Sequence, residues 1–504
     1  MLAQLDTFIG PEVGWFALSP MLTLLAGALG IMLLGALTPK WPNGWYAMFS
    51  AITAGTAAAF AMVQWDDITD NGPSTLVGGA IAFDTLAMFL TITICIALLL
   101  VSLLTDESLR GTPNDGPEIY ALYLVAAIGG VVMASANDFI VLFLGLETLS
   151  LALYVLAASN RRSSESAEAG IKYFVLGGFS SAFFLYGIAL VYGSVGTTNI
   201  SEMVLAMQTT VDVSGPNPLA LAGIAMMLVG LGFKVAAAPF HVWVPDVYQG
   251  SPSPVTAFMA SAGKAAAFAA MLRVLVIALP FYRNDWRPVI WVLALLSLLV
   301  GSFLAVVQTN VKRMLAYSSI SHAGFILVGV EAAAHQAGEV DAGPGVPAVV
   351  LYLMLYGILV VGSFGVVSIV GRQNGGDTSL DAFKGLLARR PLLALTFTVF
   401  LLAQAGVPFT TGFIAKFGVI QAAVEEHSYA IAVIAMVAAV VAAFLYLRIM
   451  VSMWLSPADD DAGALAVPFS AGLAITAAAV FTVAVGIFPG WLIEAADTVT
   501  QYAR

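Results

Sequence analysis

Charged residues are scarce in this chain, and their scarcity excludes a soluble fold. Asp, Glu, Lys and Arg make up 10% of the 504 residues, whereas hydrophobic residues make up 60% and the mean hydropathy is +0.95. Soluble domains carry about 25% charged residues. The net charge of −11 is spread over short loops, which does not suggest nucleic acid as a partner. The apolar runs are far longer than barrel strands, so we predict an all-α polytopic membrane protein in a lipid bilayer.

Cysteine and cofactor-binding motifs are also nearly absent. The single cysteine, Cys95, lies in the apolar run TITICIALLL, so we expect a small buried hydrophobe that forms no internal disulfide and holds no iron–sulfur cluster. The histidines lack metal-ligand spacing, and there is no GxGxxG after a strand, no phosphate loop and no CxxCH. We therefore expect no cofactor or metal in this chain. No lysine or arginine precedes Lys40, so we expect no secretory signal peptide.

The apolar residues fall into fourteen segments, each close to the roughly 20 residues that a helix needs to cross a bilayer. They cover roughly 16–37, 44–64, 80–104, 118–135, 138–158, 168–193, 218–240, 254–280, 287–307, 314–333, 345–370, 392–424, 429–455 and 466–489. We therefore predict about fourteen transmembrane helices.

The basic residues of the loops predict the orientation of these helices. With both termini outside, the inner loops hold Lys40, Arg110, Arg161, Arg162, Lys312, Arg313, Arg372, Lys384, Arg389 and Arg390. The outer side then holds Arg283, Arg287 and Arg504. This excess on the inner side follows the positive-inside rule. Together with the alanine-rich composition, it predicts a multi-pass protein of a bacterial plasma membrane with both termini outside.

Two segments contain helix breakers beside a lysine. The seventh carries Lys234 and Pro239, and the twelfth carries Pro408 and Gly412 followed by Lys416. Proline removes a backbone donor and clashes with the preceding turn. Interrupted helices at corresponding positions indicate an internal repeat around a midplane site. The breaks lie five segments apart, an odd number, so we predict two five-helix repeats that are inverted in the membrane, with segments seven and twelve discontinuous.

These repeats divide the chain into four predicted regions. An N-terminal three-helix region covers 1–117, and the first repeat, segments four to eight, covers 118–280. The second, inverted repeat, segments nine to thirteen, covers 287–455, and a C-terminal helix covers 456–504.

Three lysines lie inside apolar segments, where a charge costs about 2.5–3.5 kcal/mol on insertion scales. Lys264 is deep in the segment 254–280, too far from either end to snorkel easily. Lys234 and Lys416 each lie near a break, and unwound backbone at membrane depth normally lines a polar cavity. We therefore predict that the three lysines belong to an ion or proton pathway, although Lys234 is close enough to its segment end to snorkel.

Other ionisable side chains extend this prediction. Glu147 is a carboxylate inside the fifth segment, and its expected partner is Lys234, or else Lys172 on the next segment. Lys172 is near the start of its segment and is equally well explained by snorkelling. His322 could relay protons or simply hydrogen-bond between helices, and His241 lies beside the seventh-segment break.

Three further charged residues give weaker evidence of a functional role. Asp84 and Asp138 lie at segment ends and suit helix caps or interface residues. Arg273, in the outer third of its segment, could pair with a carboxylate or reach the interface.

Two stretches resemble a known family. FKVAAAPFHVWVPDVYQGSPSPVTAFMASAGKAAAF and QTNVKRMLAYSSISHAGFILVG are similar to the paired signatures of the antiporter-like proton-channel family. That family includes large membrane subunits of respiratory NADH:quinone oxidoreductase (complex I), subunits of multi-subunit cation/proton antiporters and subunits of membrane hydrogenases. The resemblance runs from roughly the fourth segment to the end of the chain.

The resemblance implies a role for each of five residues. Glu147 would modulate Lys234, Lys264 would connect the two halves, Lys416 would be the outlet, and Lys172 would be a further pathway lysine. The chain would be a proton-translocating subunit driven by electron transfer elsewhere. Flavin, iron–sulfur clusters and quinone would reside in partner subunits, and its neighbours would be an antiporter-like M subunit and small K-, J- and A-type subunits.

Two alternatives remain open from the residues. A secondary antiporter that exchanges sodium or potassium for protons would use the same side chains. An inert membrane scaffold, whose lysines bind anionic lipid, would have its lysines at the interfaces, whereas Lys264 is central.

Overall fold

The helices of this chain account for most of its architecture, seen here in a computed structural model. The structure describes residues 13–38, 41–42, 44–110, 116–214, 216–339, 343–457 and 465–503. The N-terminal stretch before residue 13, Lys40 and Arg504, which entered the predictions above, lie outside the described residues.

The first half of the described chain contains ten helices. They are α1 Ser19–Leu37, α2 Trp45–Asn71, α3 Thr85–Leu109, α4 Pro117–Ser135, α5 Phe139–Ala157, α6 Ser164–Val195, α7 Ile200–Ser214, α8 Pro218–Lys234, α9 Val244–Gly250 and α10 Ser253–Ala278. A small antiparallel hairpin of β1 Ser74–Leu76 and β2 Ile81–Phe83 joins α2 to α3.

The second half of the described chain continues with nine helices. They are α11 Arg283–Val306, α12 Val311–His335, α13 Gly345–Gln373, α14 Leu386–Arg389, α15 Pro391–Ala405, α16 Thr411–Glu425, α17 Tyr429–Leu455, α18 Phe469–Ile487 and α19 Gly490–Asp497. Short 3₁₀ turns lie at Pro280–Tyr282 and Asp381–Phe383.

Within the described residues, twelve helices are long and apolar enough to cross a membrane, which makes the chain a multi-pass helical membrane protein. The seventh and twelfth predicted segments correspond to shorter apolar helices, Pro218–Lys234 and Pro391–Ala405. The total of fourteen spans stays a prediction.

Four helices form the interior of the bundle. The apolar windows of α10 and α12 are entirely buried, and those of α13 and α3 are nearly so, whereas less than half of each window is buried in α1, α2 and α18. Small side chains in α10, such as the alanines after Lys264, let neighbouring backbones approach closely. The predicted pathway residue Lys264 therefore lies at the centre of the bundle.

Helix α10 changes from α-helical to π-helical winding on both sides of its central part. A π-helical stretch, Met259–Gly263, immediately precedes Lys264, and a second one covers Arg273–Ala278. π-Helical turns inside α-helices are frequent at functional sites.

The first helix interruption follows Lys234. Helix α8 ends at Lys234, the backbone turns through Ala236, which has a left-handed φ of 65°, and α9 begins at Val244. Pro239, which was expected to break this segment, lies in the non-helical stretch and follows a cis peptide bond.

The second interruption separates α15 from α16. Gly406 and Phe409 both have positive φ, of 92° and 65°, and Pro408 lies between them. Gly412, in the first turn of α16, lies so close to α15 that a Cβ there would collide with the carbonyl oxygen of Ala403. Glycine is therefore required at this position for the two half-helices to overlap.

Buried charges at helix ends tie the interior together. Asp84 and Asp138 accept backbone N–H groups as the N-caps of α3 and α5, so the cap interpretation is confirmed. Arg273 of α10 donates to both oxygens of Asp84, at 2.7 and 2.6 Å, and to the carbonyl of Ala134 in α4. Arg273 thus pairs with a carboxylate rather than reaching the interface, and this pair joins three helices.

The lone cysteine behaves as expected from its apolar surroundings. Cys95 is fully buried in α3 and has no disulfide partner. Its interpretation as a small buried hydrophobe is confirmed.

Candidate functional site

Lys234 is held by hydroxyl groups of α5. It is the last residue of α8, where the negative end of the helix dipole favours a cation. Its Nζ donates to Ser150 Oγ at 2.7 Å and to Tyr154 Oη at 3.4 Å. Both partners are neutral, so Lys234 is held without a bonded counter-ion among the described residues.

Glu147 lies one turn before Ser150 on the same helix, within electrostatic reach of Lys234. No ion pair joins Glu147 to Lys234 or to Lys172 in the described part of the chain. The Oε1 atom of Glu147 is buried and has no hydrogen bond. The expected pairing is absent: Ser150 accepts from the Lys234 ammonium, and Glu147 is a nearby but unbonded carboxylate.

Lys172 belongs to a separate charge cluster nearer the surface. Its side chain is 40% exposed and contacts Asp246 of α9 and Glu168 of α6, each at 2.7 Å. Arg313 contacts the other oxygen of Asp246 at 2.7 Å. Partial burial raises the pKa of Asp246, but hydrogen bonds from Lys172 and Arg313 outweigh it and leave that pKa below its usual range. Lys172 therefore fastens α6 to α9 and is not bonded to Glu147.

A small cavity lies between Lys234 and Lys264. Its volume is about 20 Å³, and its walls include both lysines, Ser150 and Tyr248. A cavity needs roughly 10–15 Å³ to hold one water molecule, together with polar partners for that water. The cavity meets both conditions, so one water fits between the two lysines.

Lys264 is buried and has neutral partners. Its Nζ donates to the carbonyl oxygen of Ser319 at 2.5 Å and to Ser319 Oγ at 2.7 Å, and lies 5.3 Å from the centre of the Tyr356 ring. The residue is 3% exposed, and no salt bridge to it occurs among the described residues. The central lysine predicted from its depth is thus bonded across to α12.

A network of hydroxyl, imidazole and amide groups starts at Ser318, next to Ser319 in α12, and extends into the second half. The neighbouring Ser318 shares a 2.6 Å hydrogen bond with Tyr446 Oη and donates to Gln404 Oε1 at 3.3 Å. Tyr446 Oη also lies 3.3 Å from Nε2 of His322, whose Nδ1 is 2.6 Å from Tyr352 Oη. His322 is therefore hydrogen-bonded on both ring nitrogens, and both earlier interpretations of it fit this arrangement.

Lys416 ends the row at the second interruption. Its Nζ donates to the carbonyl oxygens of Gln404 and Ala405, at 2.8 and 3.1 Å, and lies 4.9 Å from the centre of the Phe325 ring. These carbonyls are the unsatisfied acceptors at the end of α15. Gln404 thus touches Lys416 through its backbone and Ser318 through its side chain.

His241 lies in the non-helical stretch after α8 but is not part of this network. Its ring is partly buried, and its Nδ1 has no hydrogen bond in the described structure. Glu147 lies near Lys234, one cavity is lined by Lys234 and Lys264, and Lys416 contacts Gln404 of the polar network, whereas Lys172 and His241 lie to one side. We call Lys234, Lys264 and Lys416, with the groups that join them, the lysine row.

Several residues of the lysine row were not predicted from the sequence. Ser150, Ser319, Gln404 and Tyr446 are hydroxyl or amide residues whose partners are more than 50 residues away, or lie on another helix. Gln404 in LLAQAG carries a usable signal, because an amide inside an apolar segment needs a partner. Tyr446 carries none, since tyrosines are common throughout the segments.

The fold and the lysine row define an antiporter-like membrane protein, and the comparisons agree. The chain belongs to the family described as NADH:quinone oxidoreductase/Mrp antiporter, TM, which its residues 136–442 match. The resemblance found in the sequence is thereby confirmed.

Two relatives of known identity indicate which member of this family the chain resembles. NADH-quinone oxidoreductase subunit N of Rhodococcus opacus is 39% identical, with 100% of this chain and 99% of the relative aligned. The subunit N of Mycobacterium tuberculosis is 37% identical over 98% of this chain and 99% of its own length. Both relatives carry the same subunit name, so the resemblance to membrane subunits of complex I is confirmed at the level of sequence.

Solved structures share the whole fold. A chain of respiratory complex I from Thermus thermophilus superposes with a TM-score of 0.78 and 32% identity, covering 95% of this chain and 99% of the other. A chain of the Mrp complex from Dietzia superposes with a TM-score of 0.81 and 20% identity, covering 97% of each, which shows the fold alone.

Proposed function

We propose that this chain is the proton-translocating membrane-arm subunit of an NADH:quinone oxidoreductase. It would be the N-type subunit, part of an enzyme whose redox chemistry takes place in other subunits. The observation that carries the proposal is the lysine row, which crosses the buried centre of the bundle from one helix interruption to the other. The identity to curated N subunits supports the redox-coupled version of this function.

Protons would move along the lysine row through neutral intermediaries. A water in the 20 Å³ cavity would connect Lys234 with Lys264. From Lys264 the route would continue past Ser319 and Ser318, and water would carry the proton from Ser318 to Lys416, which the backbone carbonyl of Gln404 holds in place. Hydroxyl groups can donate and accept at once, so they can carry a proton without holding a charge of their own.

Glu147 would control the charge of Lys234. In the present arrangement Ser150 accepts the ammonium and Glu147 is unbonded. A rotation that replaced Ser150 by Glu147 as the partner would hold Lys234 protonated. A return to the neutral partner would let Lys234 release its proton to the cavity, and partner subunits would drive this alternation.

His241 and Lys172 would serve the entry side. His241 lies in the stretch between Lys234 and α9, and its unbonded Nδ1 is available for a proton. Lys172 would act through Asp246 of α9, to which it is bonded from α6. His322 would act between Lys264 and Lys416, bonded to Tyr446.

The membrane topology would follow the repeat prediction. We propose fourteen spans, two inverted five-helix repeats over 118–280 and 287–455, a three-helix region over 1–117 and a final helix over 456–504. Discontinuous spans seven and twelve would lie around the same midplane site, since one interruption follows Lys234 and the other binds Lys416. Both termini would face the outside of a bacterial plasma membrane.

The subunit would work within a larger assembly. An antiporter-like M subunit and small K-, J- and A-type subunits would be its membrane neighbours. Flavin, iron–sulfur clusters and quinone would be bound by partners, and this chain would hold none of them. Related chains of solved structure belong to respiratory complex I and to an Mrp complex, which supports membership in a multi-subunit complex.

A second candidate is a subunit of a cation/proton antiporter. The fold shared with the Dietzia Mrp chain favours it, because the same lysine row could serve sodium- or potassium-linked exchange. The higher identity to curated N subunits weighs for the redox-coupled function.

Inverted membrane vesicles from cells that carry Lys234→Ala would separate the two candidates. NADH oxidation and vesicle acidification would be followed together, with assembly checked and an uncoupler as control. The redox-coupled proposal expects NADH-driven acidification to be lost. Normal NADH-driven acidification, with sodium- or potassium-dependent proton exchange lost instead, would favour the antiporter.

A further inference from the structure

A cluster of titratable side chains lies beyond Lys416, at the face where α12 and α16 end. Glu331 and His335 are one turn apart in the last part of α12, and Glu426 directly follows α16. Nε2 of His335 lies 3.3 Å from Oε1 of Glu331, and its Nδ1 lies 4.0 Å from Oε2 of Glu426. We call these three residues the end cluster. One imidazole therefore stands between two carboxyl groups.

Each carboxyl group of the end cluster has one neutral donor from the adjoining chain. Ser428 Oγ donates to Oε1 of Glu331 at 3.0 Å, and the Gln336 amide donates to both oxygens of Glu426 at 3.2 Å. These bonds orient the carboxyl groups without neutralising them.

One arginine faces the imidazole from the neighbouring helix. Nη1 of Arg287, in α11, lies 3.2 Å from Nδ1 of His335. The nearby Arg283 is engaged with Glu339, at 3.0 Å, and with a backbone carbonyl. A cation on one side of His335 and carboxyl groups on the other make the imidazole a place where a proton can be held or passed on.

The burial of Glu331 points to a proton or a water at this site. The residue is 3% exposed, and its Oε2 is buried without a hydrogen bond in the described structure. A buried carboxyl oxygen without a partner is costly, and protonation or a water removes that cost. Glu426 is less enclosed, with 12% of its side chain exposed, so it lies on the solvent side of the cluster.

The end cluster is separated from Lys416 by a short apolar layer. The Lys416 ammonium contacts the ring of Phe325, and Glu331 follows six residues later on α12, a rise of about 9 Å. Between them Gly329 faces Val349 and Val419, which a Cβ on the glycine would meet at 2.7 and 3.0 Å. Proton passage therefore requires transient water in this layer, as in constrictions that gate by dewetting.

We propose that the end cluster is the proton-release site of this subunit, an inference that rests on the proposed function. Lys416 loses a proton and becomes neutral, and Glu331 accepts that proton through water in the apolar layer. The proton then passes to His335 and on to Glu426, which gives it to solvent. The site returns to its starting charge after each proton, and the apolar layer prevents back-flow while it is dry.

Substitutions in the whole complex, reconstituted in proteoliposomes, test this inference. Glu331→Gln and Glu426→Gln keep the side-chain shape but cannot carry a proton, so both lower the number of protons translocated per NADH oxidised. Glu331→Asp restores a carboxyl group and recovers part of the yield, which a merely structural role would not predict. The matched control is Glu425→Gln. Glu425 is adjacent to Glu426 in the sequence, but it is exposed and bonded to Gln421.

A second readout does not depend on the proton yield. Infrared difference spectroscopy of the complex, with and without NADH, detects carboxyl groups that change protonation. We expect a carboxyl C=O band that is lost in Glu331→Gln and kept in Glu425→Gln. If Glu331→Gln prevents assembly, Glu426→Gln and His335→Gln can be measured in the same way.

The outcomes separate the two proposals. Wild-type proton yields in Glu331→Gln, Glu426→Gln and His335→Gln, together with a lowered yield in Lys234→Ala, would overturn the release site and leave the proposed function standing. A wild-type yield in Lys234→Ala as well would overturn the proposed function itself.

Discussion

Filling the cavity between Lys234 and Lys264 should stop proton transfer while leaving the helices intact. Gly263 lines this cavity, and a Cβ on it would meet its nearest atoms, Phe258 O and a Leu153 methyl, at 3.6 and 3.7 Å. These are ordinary contact distances, so Gly263→Ala fits without strain. Its methyl group would take space from a cavity of 20 Å³ that is already close to the roughly 10–15 Å³ needed for one water.

The expected effect is large on transport and small on stability. Without the bridging water, a barrier higher by about 1.4 kcal/mol or more would lower the transfer rate at least about tenfold. Glycine to alanine in a helix adds roughly 0.5–1 kcal/mol of stability, so the folded protein should not suffer. Proton uptake by proteoliposomes during NADH oxidation measures the first effect, and thermal unfolding in detergent measures the second.

Gly178→Ala is the matched control, because a Cβ at that position in α6 has nothing within 4 Å. It should gain the same helix stability with unchanged proton uptake. Normal proton uptake per NADH in Gly263→Ala would refute the argument that water in this cavity links the two lysines.

Three other perturbations follow from the contacts described above. Asp84→Asn should destabilise the protein by about 3–5 kcal/mol, because it leaves the Arg273 guanidinium buried without its counter-ion, and adding Arg273→Met should recover much of that loss in thermal unfolding. Asp246 has a lowered pKa, so the contacts by which it ties α9 to Lys172 and Arg313 are complete above the usual value of 3.8 and are lost as pH falls through the lower folded pKa. Hydrogen exchange in α9 should rise there in the wild type and already at neutral pH in Asp246→Asn. Gly412→Ala should force α16 away from Ala403, and a normal yield of assembled complex from this variant would contradict the overlap of the two half-helices.

Local patterns in the sequence predicted the helical segments and the residues that interrupt them. Hydropathy alone located the long helices, since each needs about 20 apolar residues in a row. Proline and glycine chemistry identified the stretches after Lys234 and before Lys416. Depth within a segment was enough to predict that Lys264 is buried, because no end of the helix is within its reach.

Contacts between distant parts of the chain could not be predicted in this way. Asp84 and Arg273 are 189 residues apart, and no local pattern joins them. Ser319 is bonded to Lys264 through the packing of α12 on α10, which depends on the whole bundle. The bond of Lys234 to Ser150 rather than to Glu147, one helical turn away, likewise depends on where the tertiary packing places Lys234 against α5.

Some local features also escaped prediction because their signals are weak. The π-helical stretch before Lys264 has an ordinary helical composition, MASAG, and nothing in it distinguishes π from α winding. The amphipathic helix Ile200–Ser214 lies between two apolar segments and was not predicted, since only membrane-length runs were sought. The hairpin of β1 and β2 contains strands of three residues each, too short for a periodic pattern.

Replacement of the central lysine tests the account most directly. Complex carrying Lys264→Met, purified and reconstituted, would be compared with Lys384→Met, a change at a surface lysine that contacts Asp381. The measurement is the number of protons translocated per NADH oxidised in sealed proteoliposomes. We predict a lower ratio for Lys264→Met and the wild-type ratio for Lys384→Met. A wild-type ratio in fully assembled Lys264→Met would contradict the claim that protons cross this subunit along the lysine row.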